Sequence, residues 1–291
     1  MQICRFDRDR LGLVEGDSVI DVSAALDAIP AVRWPYPQGD ALIANWSAVQ
    51  PAIERTKSAG KRLRLGDVRL LSPVANPSKI IGIARNRRDL DKENLGPGVI
   101  HGTPMRKDTD PIQMFIKAPS AVAGPGDGVA LRFLDRRNDP EAELSIVIGK
   151  AGTDIPRERA LDHVFGYCIG LDMTLRGPES ASSRKSIDSY AVLGPWIVTA
   201  DALPDPDSVS TVLYVNGSVL QQANTRDLAF DMRSLIAHAS TFYTLHPGDV
   251  IMAGTPAAFA PIKEGDVMVA EFGGIGRMEV RVSAHRPPAA R

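Results

Sequence analysis

The 291-residue chain has few cysteines, no long apolar run and almost no net charge, and each of these absences narrows its class. Cys4 and Cys168 are too few and too isolated for a disulfide framework, which is typical of a protein from a reducing compartment. No stretch of about 18 apolar residues occurs, so no transmembrane helix is predicted. A formal net charge of −1 gives no reason to expect a nucleic acid or a membrane surface as a partner.

The first ten residues also lack the apolar segment of a signal peptide. They carry charged side chains instead, at Arg5, Asp7, Arg8, Asp9 and Arg10. Hydrophobic residues make up 44% of the chain and charged residues 24%, the balance of an ordinary globular protein. We therefore expect a soluble, cytoplasmic protein with one large domain, or with a large and a small one.

Tight turns that lead into strands punctuate the chain. Each is a Gly-Asp pair followed by apolar residues: Gly16-Asp17, Gly66-Asp67, Gly126-Asp127, Gly248-Asp249 and Gly265-Asp266. Helical periodicity is less common and is confined to residues 41–55, 157–163 and 231–243. This pattern predicts a strand-rich α+β fold rather than alternating βαβ units.

Composition divides the chain into four segments. Residues 1–70 are predicted to form a small N-terminal α/β domain that begins with a hairpin, and residues 71–78, with two prolines, a linker. Strands dominate residues 79–286, and residues 287–291 are expected to fray. Residues 86–111 form a long polar stretch rich in glycine and proline, for which a lid over a functional site is one possibility.

Two carboxylates open the most informative strand of the chain. Glu141 and Glu143 begin a β-branched run that ends at Gly149, the pattern of a buried strand. Side chains at i and i+2 leave a strand on the same face, about 7 Å apart. Such a pair repels itself unless a cation lies between, and a hard divalent cation fits best. Taken alone, the pair is equally consistent with a solvated strand start.

A third carboxylate, Asp172, ends the next predicted strand. A buried aspartate is rare unless it is paired or bound to metal. Three carboxylates at strand ends, completed by water, are what Mg²⁺ or Mn²⁺ accepts. Taken alone, Asp172 is better explained as a turn or capping residue, or as the partner of Arg176.

Together these segments resemble the fumarylacetoacetate hydrolase family. The motifs occur in the family's order from about residue 79 to the end, and include Glu141-Ala142-Glu143-Leu144, Leu171-Asp172-Met173-Thr174-Leu175-Arg176, Arg184-Lys185-Ser186-Ile187-Asp188, Leu193-Gly194-Pro195-Trp196, Val215-Asn216-Gly217, Pro247-Gly248-Asp249 and Gly254-Thr255-Pro256. The resemblance implies an α+β fold with a mixed β-roll or sandwich of the family's C-terminal type. It also implies a small α/β domain in front and a homodimeric assembly.

The resemblance assigns the metal and its neighbour. Glu141, Glu143 and Asp172 stand where the family holds Mg²⁺ or Mn²⁺, in agreement with the reasoning from the residues. Lys185 stands where a catalytic lysine reaches the metal site, and an ammonium there could polarise a substrate oxygen or a water. A structural pairing of Lys185 with Asp188 or with the carboxylates remains the alternative.

The resemblance also implies a set of substrate contacts: Arg176, Gln221, Thr255 and Lys117. For Thr255, the hydroxyl and backbone amide would face the substrate carboxylate. Plain turn chemistry explains the Gly254-Thr255-Pro256 segment equally well. Lys117 is equally consistent with a solvated lysine.

The chain departs from the family at its water-activating pair, a His-x-x-Glu dyad on a segment that closes over substrate. Asn86 aligns, but Leu90 stands where the histidine should be, and leucine cannot accept a proton. Glu93 remains and is predicted to act as the base if closure desolvates it. His101 is the one histidine of the same loop that could substitute, although a surface histidine is the simpler interpretation.

Three arginines lie at the start of this loop, Arg85, Arg87 and Arg88. An arginine fork suits a carboxylate, so the cluster is a candidate for binding a substrate's distal carboxylate. A solvated face or a subunit contact explains the cluster equally well.

The resulting prediction is a divalent-metal-dependent hydrolase that cleaves a C–C bond in a small 2,4-diketo acid of the acylpyruvate type. A decarboxylase or an enol–keto isomerase of a 2-keto or 2-hydroxydienoic acid on the same metal site is the alternative that Leu90 favours. Outside the enzymes, a non-catalytic homologue that binds a keto acid is the competing hypothesis. The intact set of three carboxylates argues against it.

Overall fold

The structure, a computed structural model, describes residues 1–86, 112–255 and 260–286. The predictions for Leu90, Glu93 and His101, for the lid and for the frayed tail lie outside these residues. None of the described helices is long and apolar enough to cross a membrane.

Strands are the predominant regular secondary structure of the described residues. They are β1 (Gln2–Phe6), β2 (Arg10–Glu15), β3 (Ser18–Asp21), β4 (Arg62–Arg64), β5 (Leu70–Leu71), β6 (Ile80–Ala84), β7 (Gln113–Lys117), β8 (Val122–Ala123), β9 (Val129–Leu131), β10 (Asn138–Asp139), β11 (Ala142–Ile148), β12 (Val164–Asp172), β13 (Thr174–Leu175), β14 (Ala191–Thr199), β15 (Ser210–Val215), β16 (Ser218–Asn224), β17 (Val250–Met252), β18 (Val267–Phe272) and β19 (Gly276–Ala284). The α-helices are α1 (Ala41–Ala44), α2 (Trp46–Thr56), α3 (Ala181–Lys185) and α4 (Met232–Phe242).

The three segments with helical periodicity are helical in the structure, with two local differences, and α3 is a further helix that the periodicity did not predict. The predicted helix over residues 41–55 is interrupted at Asn45, which separates α1 from α2. Residues Arg157–His163 form a 3₁₀ helix. The helix predicted at 231–243 is α4, and Asp231 caps it by accepting a hydrogen bond from the Ser234 amide at 2.9 Å.

A twelve-stranded mixed sheet carries the candidate site. Its main order is β4-β3-β2-β1-β14-β12-β11-β17-β6-β7, with β5 beside β1 and β8 beside β14. The N-terminal hairpin joins this sheet through β1, which pairs antiparallel with β14 at Gln2↔Val198 and Ile3↔Ile197. Strands β17 and β6 are parallel. The division of the chain into domains at residues 70 and 79 stays a prediction.

A five-stranded sheet of order β16-β15-β18-β19-β9 packs against the large one. Trp196 of β14 joins the two layers, because its indole N–H donates to the Ile275 carbonyl at 2.7 Å. Gly276 has a positive φ of 132° and lies against the Trp196 ring, where a Cβ would come within 2.7 Å of it. Only glycine fits that position without a shift.

The central strands of the large sheet are buried on both faces. Every residue of β11 is buried, and alternate residues enter different apolar clusters: Leu144 and Ile146 join one, Val147 the other. Helix α2 covers one face, where Trp46 meets the Phe165 ring edge-on at 5.0 Å between centroids. Two carboxylates at the ends of these strands, Glu143 of β11 and Asp172 of β12, are buried as well.

Candidate metal centre and its cavity

The carboxylates predicted to bind metal meet because β11 and β12 are antiparallel neighbours. The register pairs Ala142 with Leu171, so the start of β11 lies beside the end of β12. The Asp172 amide donates to the Glu141 carbonyl at 2.8 Å. One carboxylate oxygen from each of Glu141, Glu143 and Asp172 lies within 4.8 Å of the others, and all three side chains are buried.

Two lysines compensate part of this negative charge. Lys185, the last residue of α3, donates from Nζ to Glu141 Oε2 at 2.8 Å and to Asp172 Oδ2 at 2.6 Å. Lys117, the last residue of β7, donates to Asp172 Oδ1 at 2.5 Å and to the Lys185 carbonyl. Lys117 is fully buried, so it is not a solvated lysine. Lys185 pairs with the carboxylates, whereas Asp188 pairs with Arg132.

The lysines leave Glu143 as the least compensated carboxylate. Burial would raise the pKa of Asp172, but Lys117 and Lys185 hold it below its usual value. The pKa of Glu143 is raised well above its usual value by burial and by the charges of Asp172 and Glu141. Within the described residues Glu143 accepts a hydrogen bond from the Gly254 amide, at 2.8 Å from Oε2.

This electrostatic arrangement fits a divalent cation. Three buried carboxylates converge, and one of them has no ammonium within hydrogen-bonding distance in the described parts of the chain. Carboxylate oxygens are the hard donors that Mg²⁺ and Mn²⁺ accept. The residues that could hold the ion are Glu141, Glu143 and Asp172.

A network of arginines and hydroxyls fixes the orientation of Glu141. Thr174 Oγ1 and Arg176 Nη2 each donate to Glu141 Oε1 at 3.1 Å. Arg176 Nε also donates to the fully buried Asp139 at 2.7 Å, and Arg137 Nε donates to the same carboxylate at 2.8 Å. Supporting partners of this kind hold a ligand in its binding geometry.

A cavity of about 110 Å³ opens over the carboxylates. Its lining consists of Ile83, Ala84, Arg85, Phe115, Glu141, Glu143, Arg176, Ala181, Arg184, Lys185 and Thr255. The Lys185 ammonium lies 5.0 Å from the centre of the Phe115 ring, a cation–π contact that adds to its positioning. The cavity thus combines an acidic floor with basic and apolar walls.

Thr255 lies in this cavity on a turn that Asn86 holds. The Asn86 side-chain amide donates to the Ala253 carbonyl at 2.8 Å and its oxygen accepts from the Phe230 amide at 2.8 Å. Gly254 adopts a φ of 96°, and a Cβ there would come within 2.8 Å of Asn86 Cβ. Thr255 Oγ1 is buried without a hydrogen-bond partner in the described chain. An orphaned buried hydroxyl in a cavity is what a ligand's polar group would satisfy.

Of the two remaining predicted substrate contacts, Arg176 and Gln221, one lines the cavity and the other does not. Arg176 lines the cavity. Gln221, on β16, is outside the lining: its Oε1 accepts from the Ala142 amide at 3.0 Å and its Nε2 donates to the Pro140 carbonyl at 3.3 Å. These contacts place Gln221 against the backbone that carries Glu141. A direct contact of Gln221 with substrate stays a prediction.

Of two further arginines that line the cavity, the sequence analysis identified one and missed the other. Arg85 was part of the predicted arginine cluster, and the structure places it at the cavity, exposed and with a positive φ of 56°. Arg184 was not selected as a site residue, although it directly precedes Lys185 in the motif. That adjacency to Lys185 is the sequence signal that could have identified it.

A mixed β fold with a buried three-carboxylate site beside a lysine defines a metal-dependent enzyme class rather than a binding module. The chain belongs to the fumarylacetoacetate hydrolase family, since the model of the family's C-terminal domain matches residues 79–283. The predicted family and fold are therefore confirmed.

Individual relatives extend over nearly the whole chain. It is 49% identical over 285 residues to the maleylpyruvate hydrolase of Aquipseudomonas alcaligenes, covering 97% of this chain and 99% of that protein. It is 34% identical over 279 residues to the mitochondrial oxaloacetate tautomerase of Xenopus laevis, covering 91% and 83%. The crystal structure of maleylpyruvate hydrolase from Sphingobium sp. SYK-6, in complex with manganese(II) and pyruvate, superposes with a TM-score of 0.83 at 37% identity, covering 98% of this chain and 100% of that one.

Proposed function

We propose that this protein hydrolyses maleylpyruvate. The observation that carries the proposal is the 49% identity, over nearly the full length of both chains, to the maleylpyruvate hydrolase of Aquipseudomonas alcaligenes. Maleylpyruvate is a 2,4-diketo acid in which a maleyl group is joined to the methyl carbon of pyruvate, so it belongs to the predicted acylpyruvate class. The predicted reaction, metal-dependent hydrolysis of a C–C bond, is confirmed at this level.

The proposed metal is Mn²⁺ or Mg²⁺, held by Glu141, Glu143 and Asp172. Manganese(II) and pyruvate occur together in the Sphingobium structure, which supports a pyruvyl unit as the part of the substrate nearest the metal. When bound, the ion supplies Lewis-acid stabilisation of negative charge on the carboxylate and keto oxygens of a 2-keto acid. The chain's own residues do the rest of the work of binding and proton movement.

Lys185 and Thr255 are the groups that meet the pyruvyl unit. The Lys185 ammonium is buried, and Asp172 and Glu141 raise its pKa against the effect of burial, so it is protonated and can stabilise a developing oxyanion. Thr255 Oγ1 donates to the substrate carboxylate. Arg176 keeps Glu141 in place and adds positive charge to the cavity wall.

The bond-breaking step needs an activated water. Water adds to the acyl carbonyl carbon, and the bond from that carbon to the adjacent CH₂ then breaks. Its electron pair remains on the CH₂ carbon as the enolate of pyruvate, which takes up the proton that the water lost. Glu93 is the proposed base, because it is the carboxylate that remains of the His-x-x-Glu dyad and a desolvated carboxylate can accept a proton.

Enol–keto isomerisation or decarboxylation of a keto acid is the second candidate. Leu90 at the usual histidine position favours it, as does the 34% identity to a protein described as an oxaloacetate tautomerase. Both reactions need the same stabilised enolate but no water nucleophile. The product therefore decides between the candidates.

The products of maleylpyruvate test this function. We expect the Mn²⁺-loaded protein to consume one water and release maleate and pyruvate, identified by mass spectrometry. Chelation of the metal should abolish turnover, and oxalate, a two-carboxylate chelating analogue of the pyruvyl end, should inhibit it. An unchanged mass with altered absorbance would instead establish isomerisation, and release of CO₂ would establish decarboxylation.

We also propose that the protein is a homodimer, as the family resemblance implies, and that it is cytoplasmic, in keeping with the two free cysteines Cys4 and Cys168. Sedimentation equilibrium checks the assembly: the fitted mass should be twice the 31.3 kDa of one chain. A fitted mass equal to one chain at micromolar concentration would contradict it.

A further inference from the structure

Arg184 lies in the cavity wall and carries donors that no group among the described residues accepts. It lies in the last turn of α3, next to Lys185, and lines the cavity. Its Nε and Nη1 atoms are buried and have no hydrogen-bond partner in the described ranges. Leaving charged donors unsatisfied in a buried position is costly, so a site that does so in its cavity wall is built for an anionic ligand.

Two acidic residues that flank α3 in sequence, Glu179 and Asp188, form salt bridges with arginines other than Arg184. Glu179 accepts two hydrogen bonds from Arg136, at 2.8 and 2.7 Å. Asp188 pairs with Arg132 at 3.2 Å. Both carboxylates are paired with other arginines, so among the described residues neither forms a salt bridge with the unpartnered Nε and Nη1 of Arg184.

A second arginine makes the position more electropositive. Burial and the neighbouring charge of Arg176 both lower the pKa of Arg184 from its usual value. Arg176 itself is held by Asp139 and Glu141. Two guanidinium groups that share one cavity repel each other, and an anion between or beside them relieves that repulsion. A carboxylate is the anion whose geometry matches an arginine fork.

The cavity thus offers orphaned donors from two different elements. Thr255 Oγ1 comes from the turn after β17, and the Arg184 guanidinium comes from α3. An acylpyruvate whose acyl group ends in a carboxylate has an anionic group at each end. The two ends therefore match two separate sets of unsatisfied donors, one of which is already assigned to the pyruvyl carboxylate.

We propose that Arg184 binds the carboxylate at the far end of the acyl group and thereby makes the enzyme selective for acylpyruvates with a dicarboxylic acyl part. This inference rests on the proposed function. Arg85 is the competing residue, since it also lines the cavity. Arg85 is exposed, however, and a carboxylate bound there would stay in contact with water, where a charge pair contributes little.

Two substrates whose acyl chains have the same number of carbons test the role of Arg184 in binding the terminal carboxylate. Succinylpyruvate carries the terminal carboxylate, and butanoylpyruvate carries a methyl group in its place. We expect the unmodified enzyme to favour succinylpyruvate by at least about tenfold in kcat/KM. Arg184→Met should lower kcat/KM for maleylpyruvate and succinylpyruvate by about 30-fold, the range of a lost charge-assisted hydrogen bond, while butanoylpyruvate changes by less than about threefold.

Two further variants keep the test decisive. Arg184→Lys keeps the positive charge without the guanidinium fork, so its kcat/KM for succinylpyruvate should lie between those of the unmodified enzyme and Arg184→Met. It also provides the test if Arg184→Met does not fold. Arg281→Met removes an exposed arginine on β19 and should leave kcat/KM unchanged for both substrates. Competitive inhibition of the unmodified enzyme by succinate should be stronger than by butanoate, and this readout needs no variant.

The outcomes separate this inference from the function on which it rests. If the unmodified enzyme hydrolyses neither acylpyruvate nor maleylpyruvate, the proposed function fails and the role of Arg184 fails with it. If it hydrolyses both substrates equally well, or if Arg184→Met loses the same factor on both, the function stands and the role of Arg184 is overturned.

Discussion

Replacement of Glu143 by glutamine is expected to abolish tight binding of Mn²⁺ and Mg²⁺ and to lower kcat/KM by at least about 10³-fold, equivalent to about 4 kcal/mol of lost transition-state stabilisation. Glu143 is the carboxylate of the cluster whose pKa is raised well above its usual value by burial and by Asp172 and Glu141. The cation is what stabilises its charged form, so the neutral amide should remove the main reason for the ion to bind.

The same substitution should not destabilise the metal-free protein. Glutamine has nearly the same shape, and its amide oxygen can still accept the hydrogen bond from the Gly254 amide. Removal of an uncompensated buried charge is neutral or favourable for folding. We therefore expect calorimetry to show a metal-free Tm at or above that of the unmodified protein, together with the loss of the Tm increase that added Mn²⁺ causes in the unmodified protein.

Glu264→Gln is the matched control, because Glu264 is exposed and outside the cavity lining. It should leave the metal-free Tm, the response to Mn²⁺ and turnover unchanged. A Glu143→Gln variant that still gains thermal stability from Mn²⁺ and still turns over substrate would show that the ion binds elsewhere.

The metal ligands were predictable from sequence to different degrees. Glu141 and Glu143 share a face because strand side chains alternate, and that follows from their spacing alone. Asp172 needed the antiparallel register of β11 and β12, which places residues about 30 positions apart side by side. From the residue alone, a turn or capping role or a salt bridge to Arg176 explained Asp172 better than a metal did.

Residues from outside this hairpin could not be placed by spacing. Lys117 reaches Asp172 from β7, which is separated from β12 in the sheet by β6, β17 and β11, so its full burial became evident only from the fold. For Gln221, the family resemblance predicts contact with substrate. The structure shows in addition that its side chain forms hydrogen bonds with the backbone at the start of β11, which sequence spacing could not predict. Neither sheet order nor inter-sheet packing is encoded in local periodicity.

Arg184 was overlooked for a related reason. In a sequence, an arginine next to a predicted catalytic lysine is most simply interpreted as a solvated residue. Its proposed role depends on whether the neighbouring carboxylates already have other partners, and Glu179 and Asp188 are both paired with other arginines. That accounting of ion pairs is possible only once the side chains are in place.

Replacement of Lys185 by methionine separates catalysis from metal binding, and its expected effect is a fall in kcat of about 10²- to 10³-fold. That is the range observed when one preorganised donor to a developing oxyanion is removed. The ammonium lies 2.8 Å from Glu141 and 2.6 Å from Asp172, so it also offsets part of the charge that the cation would otherwise face. Its removal leaves the carboxylates more negative, and the affinity for Mn²⁺ should hold or rise while kcat falls.

A lower kcat together with an unchanged or higher affinity for Mn²⁺ distinguishes a catalytic lysine from a structural one. If Lys185 served only to neutralise the carboxylates, added Mn²⁺ would replace its charge and restore kcat in Lys185→Met. We expect no such rescue in titrations with excess Mn²⁺, whereas Lys185→Arg, which keeps a protonated donor, should retain more activity than Lys185→Met. Lys263→Met, at an exposed lysine, controls for the loss of a positive charge and should alter neither quantity. Full activity of Lys185→Met at saturating Mn²⁺ would make the lysine a structural counter-ion and leave the enolate to be stabilised without it.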